Sequence, residues 1–280
     1  MKRAPGAHVI GERLAKRSKQ LVLRTINHAY ETPHTPFRAT TRDGVSIAGV
    51  HLRRQSDTVV IYAHGFLSNK YHRAVPAFVE HLATHFDAIA FDFRGHGESG
   101  GRATFGELEV LDVEAVVAYA RRQGYHRIIT VGSSMGGAAV LLHAALLGGV
   151  DGVATIGAVA HLRYMRSSTA SLGLRLLFKT RLGRVAAEMG RGTRIGALRI
   201  SIPPVDVVHR IREPVLFIHG EWDPLIAPES ALALYERAVE PKTLRLLPRT
   251  GHDIPILTPQ TADFLTRWIR QAILGGAEWT

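Results

Sequence analysis

The segment Gly132-Ser-Ser-Met-Gly136 constrains this 280-residue chain more than any other, because of what stands on either side of it. Upstream, Arg127-Ile-Ile-Thr-Val131 is a short β-branched stretch that reads as a buried strand. Downstream, Gly137 to Leu147 is rich in Ala and Leu and long enough for a helix. A serine between glycines at a strand-to-helix corner fits the G-x-S-x-G elbow, where a sharp turn pushes the hydroxyl outward. Glycine at 132 and 136 removes side chains where backbones must come close, and the new helix offers unpaired N–H groups and the positive end of its dipole. Ser134 is the first candidate nucleophile.

Strand and helix alternate along almost the whole chain. Residues 37–52 predict two strands hinged at Asp43-Gly44. Further strands are expected at 58–63, 87–92, 152–158, 214–219 and 243–247. Helical patterns cover 71–84, with Val75, Phe78, Val79 and Leu82 on one face, and 104–123, 229–239 and 259–273. Thr104-Phe-Gly-Glu107 reads as a capping box. Acids at 107, 109, 112 and 114 then precede Arg121-Arg122, the order that a helix dipole favours, before Gly124 ends the helix. The alternation predicts an α/β fold, a mostly parallel eight-stranded sheet with helices on both faces. It breaks once. Some fifty residues with helical signals, about 161–213, follow the sixth strand and predict a small cap over the site. Residues 1–36 form a basic N-terminal arm, with helical spacing over 8–28, ahead of a single domain at 37–280.

In open α/β sheets, ligands bind outside the carboxyl ends of the strands. Ser134 follows one expected strand, Asp223 another and His252 the last. A serine hydroxyl is a weak nucleophile at neutral pH, so His252 is the candidate base that takes its proton and later returns one to a leaving group. Asp223 is the candidate acid that holds the imidazole in its useful tautomer. Three rivals are weaker. His219 sits within a strand-end turn and is expected to bond locally, Asp253 is too close to His252 in sequence to orient its ring, and Asp206 falls in the link from cap to core. The backbone N–H groups of Met135, just after the serine, and of Phe66, in the turn after residue 63, are the candidate oxyanion donors. His64 reads as an organiser of that turn.

Taken in order, His64-Gly-Phe66, Asp92-Phe-Arg-Gly-His-Gly-Glu-Ser99, Gly132-Ser-Ser-Met-Gly-Gly137, His219-Gly-Glu-Trp-Asp223 and Gly251-His252 resemble the α/β-hydrolase superfamily. Within it, the chain is similar to bacterial carboxylesterases and serine-aminopeptidase-like hydrolases. The resemblance covers roughly residues 37–272 and implies a triad of Ser134, Asp223 and His252 with Phe66 and Met135 at the oxyanion. Serine at the elbow sets the chain apart from branches that use aspartate there. The expected activity is cleavage of carboxylic esters through an acyl-serine. The alternatives are a thioesterase or acyltransferase on a carrier-bound acyl group and, from another class, a non-catalytic ligand- or membrane-binding protein on the same fold. No metal or organic cofactor is expected, and the expected partner is a small ester or acyl substrate.

Composition narrows the rest. The chain has no cysteine, so it has no disulfide, thiolate nucleophile or Cys-based metal site. Its apolar patch Leu21-Val-Leu23 is interrupted by Arg24 and is too short for an export signal. The uncharged run from Gly132 to Val150 opens on the elbow and reads as a buried helix rather than a membrane span. A cytoplasmic location is expected. The net charge of +11 is uneven: residues 1–24 carry +6 and residues 163–213 carry +8, leaving −3 for the remainder. Those two basic regions raise a further expectation, peripheral contact with an anionic membrane surface. No motif or aromatic interleaving points to nucleic acid. Oligomeric state is open.

Overall fold

The computed structural model describes residues 27–166, 169–198 and 201–275. The fold is the expected α/β one. Eight strands form a single sheet: β1 (Thr35–Thr40), β2 (Ser46–Leu52), β3 (Thr58–Ala63), β4 (Asp87–Phe91), β5 (Arg127–Ser133), β6 (Gly152–Ile156), β7 (Val215–Gly220) and β8 (Lys242–Leu247). Their order across the sheet is β1-β2-β4-β3-β5-β6-β7-β8. β2 runs antiparallel to both β1 and β4, and every other neighbouring pair is parallel. The β1–β2 hairpin turns where Asp43-Gly44 predicted, with Gly44 at φ +83 and its N–H on the Thr41 carbonyl at 2.9 Å.

The strands alternate their side chains between two cores. Val59, Ile61, Ile128, Val215 and Phe217 face one, shared with α2 (Glu109–Arg122), α3 (Met135–Leu146) and α7 (Glu229–Arg237). Val60, Tyr62, Ile129, Leu216 and Ile218 face the other, beneath α1 (Val75–Leu82) and α8 (Pro259–Ala272). Burial on both faces explains why these strands read as continuous apolar runs. α1 buries Val75, Phe78, Val79 and Leu82, the face its spacing predicts, but starts four residues later than expected. Residues 68–74 turn instead, with the Tyr71 N–H held by Asn69 Oδ1 at 2.8 Å. β6 is likewise cut short, because Gly157 adopts φ +58.

The predicted capping box does not form: α2 starts after Leu108, which has no side-chain cap bond, and Glu109 instead ties down the loop before it. Glu109 accepts the Thr104 N–H, the Thr104 hydroxyl and the Gly106 N–H, each at 2.7 Å. Glu107 takes the Ser201 hydroxyl at 2.6 Å. Positive φ at Phe105 and Gly106 lengthens the approach, so α2 begins at Glu109.

Between β6 and β7 lie α4 (Thr169–Lys179), α5 (Arg181–Arg191) and the single turn α6 (Pro204–Val207). α4 and α5 form a helical pair over the carboxyl ends of the strands, anchored by the Met165–Ile226 and Ala103–Ile195 bridges. Of the expected arm helix over 8–28, all but Asn27 and His28 lies outside the described residues. No helix among the described residues is long and apolar enough to cross a membrane.

Candidate active site

Three backbones converge at Ser134. A Cβ on Gly132 would lie 2.3 Å from the Gly136 carbonyl oxygen, and one on Gly136 would lie 2.3 Å from that of Ala63 in β3. Only glycine fits either position, so the spacing of the motif follows from how β3, β5 and α3 approach one another. The corner holds Ser134 at φ 51 and ψ −115, outside the regions that a non-glycine residue ordinarily occupies. Such geometry costs about 1–3 kcal/mol and persists because the surrounding sheet over-determines it. The Ser134 N–H is fixed on the Ile156 carbonyl at 2.8 Å.

β7 and β8 supply the other two groups. Asp223 is fully buried in the turn after β7. Its Oδ1 accepts the N–H groups of Leu225 at 2.8 Å and Ile226 at 2.9 Å, and its Oδ2 lies 2.5 Å from His252 Nδ1. Burial works against the carboxylate, but the bonds from His219 and His252 outweigh it and hold the acid well below the usual range. Asp223 is therefore charged at neutral pH, and the proton of His252 belongs on Nδ1, leaving Nε2 free for an incoming hydroxyl. Ser134 and His252 line one cavity of about 290 Å³, whose wall also includes Phe66, Leu67, Val159 and Leu177.

The rivals take other places. His219 Nε2 bonds the Ile226 carbonyl at 3.1 Å and lies 3.4 Å from Asp223 Oδ2, so it braces the acid from behind. Asp206 sits at the surface beside Arg237, 3.5 Å away. Asp253 is half-buried next to His252, with its buried Oδ1 unpartnered. Burial raises its pKa against the pull of His252 and Ser133.

The Phe66 turn is held by His64. The ring is fully buried, donates from Nδ1 to the Gly65 carbonyl at 2.7 Å and accepts the Phe93 N–H at Nε2 at 3.1 Å. Burial pushes its pKa down to about 3, so it is a neutral brace between two loops. A Cβ on Gly65 would stand 3.3 Å from Ser134 Cβ, which sets this turn directly against the nucleophile. The Phe66 N–H is not used by the turn, in which the Ser68 N–H bonds the Gly65 carbonyl, and the Met135 N–H opens α3. Both can serve an oxyanion.

One contributor escaped sequence reasoning. A Cβ on Gly157 would lie 3.3 Å from His252 Nδ1 and 3.6 Å from Asp223 Oδ2, so this glycine makes room for the imidazole–carboxylate pair. The lone signal was a glycine ending a strand run. A second cavity of about 140 Å³ shares the Phe105 and Val159 walls and continues over Met135, Ala138 and Leu142, all apolar. Among the described residues, no cluster of three or more His, Asp or Glu could hold a metal ion.

The chain is similar in sequence and fold to known proteins. The chain is 28% identical over 228 residues to the uncharacterized protein YqkD of Bacillus subtilis (strain 168), which covers 78% of this chain and 72% of that one. It is 26% identical over 189 residues to human alpha/beta hydrolase domain-containing protein 17B, which covers 66% of this chain and 57% of the human one. In fold it is similar to an esterase of Pyrococcus furiosus, with a TM-score of 0.71 at 22% identity over 89% of this chain and 98% of the other. The model of the alpha/beta hydrolase family matches residues 60–263, a span that holds Phe66, the elbow, Asp223 and His252. On that match, and on a sheet that gathers these groups at one edge of its strands, the chain belongs to the alpha/beta hydrolase family.

Proposed function

We propose that this chain is a serine hydrolase that cleaves carboxylic esters through an acyl-serine intermediate. The observation that carries the reading is the 2.5 Å contact between His252 Nδ1 and a buried, charged Asp223, on the wall of a cavity that the strained Ser134 also lines. A structural histidine has no need of a dedicated carboxylate pinned by two backbone N–H groups. In the first half-reaction, His252 Nε2 takes the Ser134 proton as the oxygen attacks the ester carbonyl. The oxyanion is met by the Phe66 and Met135 N–H groups, each worth roughly 3 kcal/mol in the barrier when aligned. Collapse expels the alcohol, protonated by His252. In the second half-reaction, water activated by the same base releases the acid.

Asp223 supports these steps by stabilising the imidazolium that forms twice in each cycle. The apolar walls favour an acyl or alcohol group without charge. The test is reaction with a fluorophosphonate, with peptide mapping, followed by turnover of p-nitrophenyl esters from acetate to palmitate. Labelling at Ser134, ester turnover and its loss in Ser134→Ala are expected. Labelling without ester turnover would move the assignment to thioesters or acyl transfer, and an unlabelled folded protein would remove the enzyme reading.

A further inference from the structure

We propose that the outer face of the helical pair α4–α5 docks on an anionic phospholipid bilayer. α5 carries its apolar residues on the side away from the protein. Leu182, Val185 and Ala186 are all exposed, at the spacing of one helix face. Leu182 is 80% and Val185 50% exposed, while Ala187 is the one buried residue of this helix. An ordinary surface helix shows the reverse. α4 adds Leu172 and Leu176, exposed at 58% and 49% and four residues apart, while its Phe178 packs inward on Phe66. The two rows stand on helices in close backbone contact, since at Gly183 a Cβ would lie 2.4 Å from the Leu176 carbonyl oxygen. An exposed apolar patch of this kind on a monomer marks a contact surface.

Charge selects what covers it. The exposed Lys179 and Arg181 stand where the two rows meet, within a segment of net +8, whereas Arg184 and Arg191 turn to the protein side, on the Phe178 carbonyl at 3.3 Å and His72 Nε2 at 2.9 Å. A second copy of this chain would set that charge against itself. The N-terminal arm, at +6, would be repelled in the same way. Lipid phosphates beside acyl chains complement both features, the leucines entering the interface and Lys179 and Arg181 meeting phosphate. The described chain begins near the C-terminal end of α5. Asn27 pairs with His72, whose Nε2 lies 2.9 Å from Arg191 Nη1 at the end of α5. Leu177 of α4 lines the cavity of Ser134, so docking brings the cavity close to the lipid phase. A role in drawing acyl substrates from the bilayer rests on the esterase reading, whereas docking itself does not.

The test is co-sedimentation of the full chain with phosphatidylglycerol–phosphatidylcholine vesicles and with pure phosphatidylcholine vesicles, at low and high salt. Binding to the anionic vesicles that weakens with salt is expected. The double change Leu182→Asp and Val185→Asp should weaken it about tenfold or more, and Arg181→Gln about fivefold. Leu182→Phe should retain it. Both positions of the double variant are exposed, and an unchanged melting temperature checks that it is folded. Three results would overturn the proposal. They are equal or no binding to the two vesicle types, a double variant that binds like the wild type, or a wild-type dimer that the double variant dissolves without any vesicle binding. Vesicle binding without ester turnover would leave docking intact and remove the esterase reading, and turnover without binding would do the opposite.

Discussion

Mild acid should destabilise this protein before its surface carboxylates are protonated, and His64 and His96 are the reason. Their rings meet edge to face with centroids 5.1 Å apart, both are fully buried, and burial pushes each pKa down to about 3. An unfolded chain binds those protons near pH 6.5. Between pH 3 and 6.5 the unfolded state therefore holds more protons than the folded one, so stability falls as the pH falls through 6.5. At pH 7.5 the loss is negligible. At pH 5.5 each ring costs about 1.4 kcal/mol, or about 3 kcal/mol for the pair. His51 and His72, each lowered to about 4 chiefly by burial, act in the same direction, while the buried Asp112, raised to about 7 by burial, acts against them. The assay is the urea unfolding midpoint, measured across pH 7.5 to 5.5, for the wild type and for His96→Gln. The variant should lose about 1.4 kcal/mol of the pH dependence. A midpoint that stays flat over this range, or a variant with the wild-type slope, would refute the reasoning.

Two further outcomes follow from the site geometry. Asp223→Asn should lower kcat on p-nitrophenyl esters about ten-thousand-fold with KM little changed, because an amide can hold His252 in the wrong tautomer; steady-state rates near those of the wild type would show that Asp223 does not orient the base. Gly132→Ala should cost roughly 3 kcal/mol or more, because its Cβ would meet the Gly136 carbonyl at 2.3 Å and neither backbone can yield. Thermal melting checks this, and a variant within a degree or two of the wild type would mean that the elbow tolerates a wider corner.

The sheet was legible because each buried strand announces itself as an apolar run punctuated by glycine or aspartate, and the elbow because its glycines serve local geometry. Ser134, Asp223 and His252 were legible as positions just past strand ends, and the structure brings Asp223 and His252 into contact and sets Ser134 on the same cavity wall. What the sequence hid depends on approach between distant segments. Gly157 matters through an imidazole ninety-five residues further along the chain. Glu109, and not Glu107, binds Thr104 because Phe105 and Gly106 turn at positive φ, which residue type alone does not announce. The outward Leu182 and Val185 of α5 obey helical spacing either way, and only the packing of α4 decides which side is inside.

The helices between β6 and β7 leave and rejoin the core at adjoining backbone positions: the Val205 N–H donates to the Ala160 carbonyl at 3.2 Å. Ser230 of α7 clamps the exit strand, donating to the Ala158 carbonyl at 2.8 Å and accepting the Ala160 N–H at 2.9 Å. The core thus closes its own circuit, and the excursion hangs from a joint that would persist in its absence. Doubling the length of such an insert costs only about 0.6 kcal/mol of closure entropy. Descendants of this chain are consequently free to exchange the whole appendage, altering what is admitted, while the groups on β5, β7 and β8 are inherited unchanged. Such an exchange would replace Leu177 in the cavity wall and leave Phe66, Leu67 and Val159 where they are.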